Sequence, residues 1–176
     1  MALPANSLAS DRGWQPPPGA VRLNIYEFDE IYNSLSNRCI DADTGSIHNN
    51  GTKIQMWACN GYLQQRWYLN WGQTTDYKNV FSGRCLDADI NHINENGARV
   101  QLWDCNGRNQ QGWWFVSADR SIHSAVNGKC LDIDLNNIHS NGAKVQLWDC
   151  NGRAQQQWIY HLYPRPDSGR QDLITR

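Results

Sequence analysis

Three side-chain types recur together in this chain. Asp41, Asp87 and Asp132 each follow a cysteine by two residues, whereas Gln55, Gln101 and Gln146 each precede a second cysteine by four. Trp57, Trp103 and Trp148 lie two positions beyond those glutamines. Residues i and i+2 of an extended strand share a face, so each glutamine projects the same way as its tryptophan. A carboxylate accepts hydrogen bonds from two vicinal hydroxyls, an amide donates and accepts, and a flat ring covers an apolar C–H face. Charge on the acceptor makes such bonds roughly twice as strong as neutral ones. A pyranose offers all of these partners, so the set points to sugar recognition.

The elements that must position this set are themselves repeated. The segment IDADTGSIHNNGTKIQMWACNG from Ile40 returns as LDADINHINENGARVQLWDCNG from Leu86 and LDIDLNNIHSNGAKVQLWDCNG from Leu131. Units this short cannot bury an apolar face alone and must pack against their copies. The spacing keeps step, with Cys39, Cys85 and Cys130 separated by 46 and 45 residues, as are Gln65, Gln111 and Gln156. A threefold assembly follows, with up to three copies of any site. Asn50-Gly51, Asn96-Gly97 and Asn141-Gly142, set between β-prone runs, predict hairpin turns because both residue types tolerate positive φ. No stretch sustains a helical apolar stripe, so the predicted class is all-β. Each repeat ends on Gln-x-Trp, and Trp67, Trp113 and Trp158 are expected to converge near the pseudo-symmetry axis as core, each burying about 150 to 250 Å².

With 176 residues, the chain has room for one domain. The repeats occupy about residues 28–162, in lobes of about 28–72, 73–117 and 118–162, and residues 1–27 and 163–176 read as tails or linkers. Sixteen basic and 17 acidic residues, interspersed, give a net charge of -1, without the basic footprint that nucleic acid or anionic lipid demands. No apolar run is long enough for a membrane span, and the N-terminal residues lack the apolar stretch of a signal peptide. Each repeat carries two cysteines 20 residues apart, and of the pairings open to six cysteines only the within-repeat scheme respects the symmetry simply: Cys39 with Cys59, Cys85 with Cys105, Cys130 with Cys150. Disulfides imply an oxidising compartment, hence a secreted chain supplied without its leader or cut from a larger secreted parent.

Taken together, these residues resemble the ricin B-type (R-type) lectins, the family 13 carbohydrate-binding modules, whose mark is the Gln-x-Trp repeat on a β-trefoil. The likeness covers about Phe28 to Leu162, with six matched elements in triplicate. It implies a β-trefoil that binds galactose-type or related glycans without catalysis or cofactor. In that family the aspartate after Cys-x orients sugar hydroxyls, which corresponds to Asp41, Asp87 and Asp132. The ring two residues before the second cysteine stacks on the sugar, corresponding to Trp57, Trp103 and Trp148. An amide pair before the core tryptophan completes the pocket, commonly Asn then Gln. Here it is Gln64 with Gln65, Gln110 with Gln111, and Gln155 with Gln156, so the first amide has one more rotor.

Other readings compete with this one. Asp43, Asp89 and Asp134 suit Asx turns better than a calcium site, which needs six or more oxygens. Asp87 and Asp89, at a strand spacing of roughly 6 to 7 Å, approach the carboxylate separation of glycosidases. That pair occurs three times, however, and every histidine is expected in a loop or tail, so an enzyme is disfavoured. A trefoil that binds protein would have no reason to keep one polar triad in all lobes. The expected function is a multivalent lectin for adhesion or agglutination, or the cell-binding or carbohydrate-binding part of a toxin or glycoside hydrolase joined through the tails.

Overall fold

Each sequence repeat becomes four short strands. In the computed structural model, which describes residues 29–71 and 74–162, the first lobe holds β1 (Asp29–Asn33), β2 (Arg38–Ala42), β3 (Thr52–Trp57) and β4 (Arg66–Trp71). The second holds β5 (Thr75–Asn79), β6 (Cys85–Ala88), β7 (Ala98–Trp103) and β8 (Trp113–Val116). The third holds β9 (Ser121–Ser124), β10 (Cys130–Ile133), β11 (Ala143–Trp148) and β12 (Ile159–Leu162). Single 3₁₀ turns cover Leu63–Gln65, Asn109–Gln111, Leu135–Asn137 and Ala154–Gln156, and no α-helix occurs among the described residues. The tails expected at 1–27 and 163–176 lie outside the described residues.

This is a β-trefoil. Strands β1, β4, β5, β8, β9 and β12 form the barrel wall through the pairings β1 with β4 and β12, β4 with β5, β5 with β8, and β8 with β9. In the third lobe, the Trp158 N–H donates to the Arg120 carbonyl at 2.9 Å. The hairpins β2–β3, β6–β7 and β10–β11 cap one end, and β3, β7 and β11 pair with one another in a triangle. All three central strands share one burial pattern. Lys53, Arg99 and Lys144 face water at the second position, three buried residues follow, and the tryptophan at the end is half-exposed.

Trp67, Trp113 and Trp158 are fully buried in one continuous core. Each indole N–H donates to the carbonyl of the residue after its lobe's first cysteine: Ile40 at 3.4 Å, Leu86 at 3.1 Å and Leu131 at 3.0 Å. A buried tryptophan needs such a partner for its one polar atom. The within-repeat disulfides are all formed, with Cα atoms 5.1 Å apart in each. Each closes a loop that constrains the unfolded chain by roughly 3 kcal/mol.

The Asn-Gly pairs do more than the expected hairpin turn. They end longer β2–β3-type loops, and Gly51, Gly97 and Gly142 have φ of 84°, 89° and 86°. In that conformation each glycine N–H points at the next lobe and donates at 2.8 Å to Leu102, Leu147 or Met56. The asparagines reinforce the junction. Asn50 accepts the Asp104 N–H and donates to its carboxylate, both at 2.8 Å, and Asn96 does the same with Asp149. Asn141 accepts from the Ala58 N–H at 2.8 Å, where the first lobe lacks the aspartate. Arg84 and Lys129 pair with Asp104 and Asp149, whereas Arg38 reaches, among the described residues, only the Asn141 Oδ1 and the Ser36 carbonyl.

Two stability outcomes follow. Trp113→Ala opens a large cavity and should cost roughly 3–5 kcal/mol, read as a steep fall in the thermal midpoint, and a variant melting within a degree or two of wild type would refute the core assignment. Ala58→Asp restores the third junction carboxylate beside Arg38 and should add about 0.5 kcal/mol, visible as a small rise in Tm by calorimetry. A lowered Tm would show that the first junction rejects the charge.

Candidate carbohydrate-binding site

Each aspartate of the repeated triad is clamped by two glutamines from different elements. Asp41 lies on β2 directly opposite Gln55 on β3. Gln55 Nε2 donates to Asp41 Oδ1 at 3.1 Å, and Gln65 Nε2, arriving from the 3₁₀ turn, donates to Oδ2 at 3.0 Å. The other lobes repeat this with Gln101 and Gln111 on Asp87 at 3.1 and 3.0 Å, and Gln146 and Gln156 on Asp132 at 3.0 and 2.9 Å. As whole residues, Asp41, Asp87 and Asp132 are 4%, 3% and 4% exposed. A carboxylate offers about four lone-pair sites, so each oxygen keeps one for a further donor.

Gln65, Gln111 and Gln156 have a different place from the one expected of ligand contacts. Each is buried, and its second amide proton goes to the Ala58, Asp104 or Asp149 carbonyl at 3.0 Å. Each side-chain oxygen accepts the N–H of Asn60, Asn106 or Asn151 at 2.9, 2.8 and 2.8 Å. With both amide protons and the side-chain oxygen engaged inside the protein, these glutamines hold the carboxylate from behind, and none of them lines the three cavities in front of the carboxylates.

Among the described residues, no cation ion-pairs with these desolvated aspartates. Burial pushes the Asp41, Asp87 and Asp132 carboxyls above the ordinary 3.8, the glutamine amides pull them partly back, and Asp43, Asp89 and Asp134 add a little upward repulsion. Desolvation is the larger effect, as expected where neutral dipoles alone oppose burial of a charge.

In front of each carboxylate is an open cavity, of about 750 Å³ in the first lobe, 430 Å³ in the second and 330 Å³ in the third. Trp57, Trp103 and Trp148 wall them, 38%, 39% and 39% exposed, so one ring surface of each stays available. Gln55, Gln101 and Gln146 line the floor, and Gln64, Gln110 and Gln155 border the other side. Gln64 and Gln155 also lean on their aspartates, lowering the carboxyl pKa slightly. The spare rotor of glutamine thus still brings the first amide to the pocket.

Sequence reasoning missed Asn60, Asn106 and Asn151, which line all three cavities, although the repeated Cys-Asn-Gly was a visible signal. It also missed the residues that differ between lobes, because a search for repetition discards them. Tyr62 and Phe81 flank the first cavity, Ile90 and Arg108 the second, Leu135 and Arg153 the third.

Asp43, Asp89 and Asp134 do form Asx turns, accepting the N–H two residues on at 3.0, 3.1 and 3.0 Å. The expectation that every histidine lies in a loop or tail is overturned by His161, exposed on β12, and by His123. His123 is buried on β9, with Nδ1 2.9 Å from the Gly128 carbonyl, Nε2 2.6 Å from Ser121 Oγ, and the Cys130–Cys150 disulfide against its ring. Burial holds its pKa below the usual 6.5, and as a satisfied core histidine it lines none of the three cavities. Among the described residues, the metal-ligand-like clusters are His123 and Glu30, each beside a disulfide, and sulfurs in that state are not the thiolates that bind metal.

Known proteins share this architecture. A designed threefold symmetric protein, ThreeFoil, aligns at a TM-score of 0.69 and 24% identity over 76% of this chain and 96% of its own. An exo-β-1,3-galactanase from Clostridium thermocellum aligns at 0.71 and 29% identity, over 81% of this chain and 31% of the enzyme. The C-half of an earthworm R-type lectin, solved with GalNAc, aligns at 0.60 and 20% identity over 78% and 99%. No curated protein matches at a significant level. The profile of the ricin-type beta-trefoil lectin domain matches residues 27–161, the span that carries all three clamps, and the chain belongs to that family.

Proposed function

We propose that this chain is a non-catalytic, multivalent lectin that binds galactose-type or related glycans at up to three sites, one per lobe. The observation that carries the reading is the clamp: a buried carboxylate, fixed on both oxygens by amides and keeping free lone pairs, beneath a half-exposed indole, in triplicate. In this reading Asp41, Asp87 and Asp132 accept two vicinal hydroxyls, and Trp57, Trp103 and Trp148 stack on the C–H face. Gln55, Gln101, Gln146 and the outer amides Gln64, Gln110 and Gln155 contact remaining hydroxyls, while Gln65, Gln111 and Gln156 position the aspartate. Binding at a single shallow site is weak, around millimolar, or about 4 kcal/mol. Three sites on one rigid body raise avidity by roughly a hundredfold or more on clustered glycans. That favours adhesion, agglutination or targeting, and the three disulfides favour secretion.

A second reading is favoured by the galactanase, of which the matching part is 31%. In it the chain is the carbohydrate-binding portion of a glycoside hydrolase or toxin, joined through residues beyond the trefoil. Glycans remain the partner in either case. The net charge of -1 disfavours nucleic acid, and no helix among the described residues is long and apolar enough to cross a membrane.

A broad glycan array with galactose, lactose and xylose as competitors should show binding displaced by a simple sugar, and silence from a folded, oxidised sample would overturn the proposal. The double variant Trp103→Ala with Trp148→Ala should fold normally and lose most avidity in an agglutination assay, whereas unchanged agglutination would mean the sites are elsewhere. Affinity should also fall on acidification, at a higher pH than an unperturbed aspartate would set, because a protonated aspartate loses acceptor capacity. The same raised pKa means that the folded state binds these protons more readily than the unfolded chain. Their protonation therefore adds stability as pH falls through the raised value toward 3.8. Binding should consequently disappear while circular dichroism still reports the native fold, and loss of both together would contradict this ordering.

A further inference from the structure

The three cavities share a floor but not a lip, and the lip differs in charge. The residue that caps the N-terminus of the 3₁₀ turn in each lobe is Tyr62, Arg108 and Arg153. Each lines its own lobe's cavity. Both arginines are exposed, and among the described residues neither guanidinium makes a hydrogen bond or ion pair, whereas Arg84 is engaged in a lobe junction. An unengaged guanidinium beside a pocket offers a planar fork of donors matched to carboxylate or sulfate oxygens. Besides the clamped aspartates, the other charged residues on these linings are already engaged: Asp89 and Asp134 accept their own lobes' Asn91 and Asn136 N–H groups, and Arg99, on the second cavity, donates to the Gly51 carbonyl. The first cavity is the reverse case, with two carboxylates, no cation, and Tyr62 and Phe81 as aromatic walls, 67% and 47% exposed.

Resting on the carbohydrate reading above, we infer that the chain carries two chemical classes of site. The second and third lobes take a neutral pyranose on the aspartate whose neighbouring residue bears an anion, and the first lobe takes an uncharged glycan that extends over an aromatic surface. The anionic group, a sugar carboxylate or a sulfate ester, meets Arg108 or Arg153 outside the clamp. The carboxylate of the clamp would repel an anion placed on the sugar it holds directly, so the charge must sit one residue further along the glycan. Exposed ion pairs are weak, and the gain is about two- to fivefold per site, lost at high salt.

The test is a glycan array that pairs neutral galactosides and xylosides with counterparts carrying a sialic or uronic acid, or a sulfate, on the adjoining residue. It is read with wild type, with Arg108→Gln plus Arg153→Gln, and with Tyr62→Arg. The wild type should prefer acidic members at low salt and lose the preference at high salt. The double variant should bring the acidic-to-neutral ratio to about one, and Tyr62→Arg should raise it. A carboxylate-only or a sulfate-only gain supports the inference and names the anion. Neutral binding with no acidic preference, or a preference that survives the double variant, overturns the inference and leaves the lectin reading standing. No binding to any glycan overturns both.

Discussion

The clamp on each aspartate is the constraint on which the rest of the structure depends. A carboxylate that is almost wholly buried must have donors on its oxygens, or it loses more from desolvation than its surroundings return. Here one donor comes from the strand across the hairpin and the other from the 3₁₀ turn, so the same two bonds fix the hairpin against the turn. Two residues beyond each inner glutamine stands the core tryptophan, whose indole N–H ties back to the strand bearing the aspartate. Site and core are therefore one hydrogen-bonded unit. The donors are neutral amides rather than cations, which leaves the carboxyl pKa raised and the oxygens free to accept more.

Symmetry is enforced between lobes as well as within them. Each Asn-Gly pair bonds to the central hairpin of a neighbouring lobe, and Lys53, Arg99 and Lys144 return the contact by donating to the Gly142, Gly51 and Gly97 carbonyls. Gly51 and Arg99 also border the second cavity, so the edge of one site is built partly by the adjoining lobe. A lobe alone would lack that edge as well as the barrel closure. This is the physical reason a 45-residue unit of this kind is found in threes. The breaks in symmetry are equally specific: Ala58 removes one junction carboxylate, and Tyr62 replaces a lip arginine, both in the first lobe.

Much of this was legible in the sequence because repetition reports on both packing and polar function. The all-β class, the disulfide pairing and the burial of Trp67, Trp113 and Trp158 all followed from residues recurring in phase. The trefoil itself came from the family resemblance. Sequence alone did not separate the two glutamines of each pair, since neighbours in a 3₁₀ turn diverge by geometry that no pattern encodes: Gln65 turns inward and Gln64 outward. His123 was misplaced because it fills a position taken by Tyr32 and Lys78 in the other lobes, opposite the first cysteine. The Asn-Gly signal was read as local, although its hydrogen bonds run between lobes.

The central claim is that sugar hydroxyls meet the spare lone pairs of the clamped carboxylates. Its most direct measurement is a nuclear magnetic resonance titration of the side-chain amides and indole N–H groups with whichever simple sugar competes on an array. The account predicts that the shifts concentrate on Gln55, Gln101 and Gln146 and on the indoles of Trp57, Trp103 and Trp148, while those of Trp67, Trp113 and Trp158 hold still. Saturable shifts that leave the clamps untouched and cluster elsewhere on the barrel would contradict it.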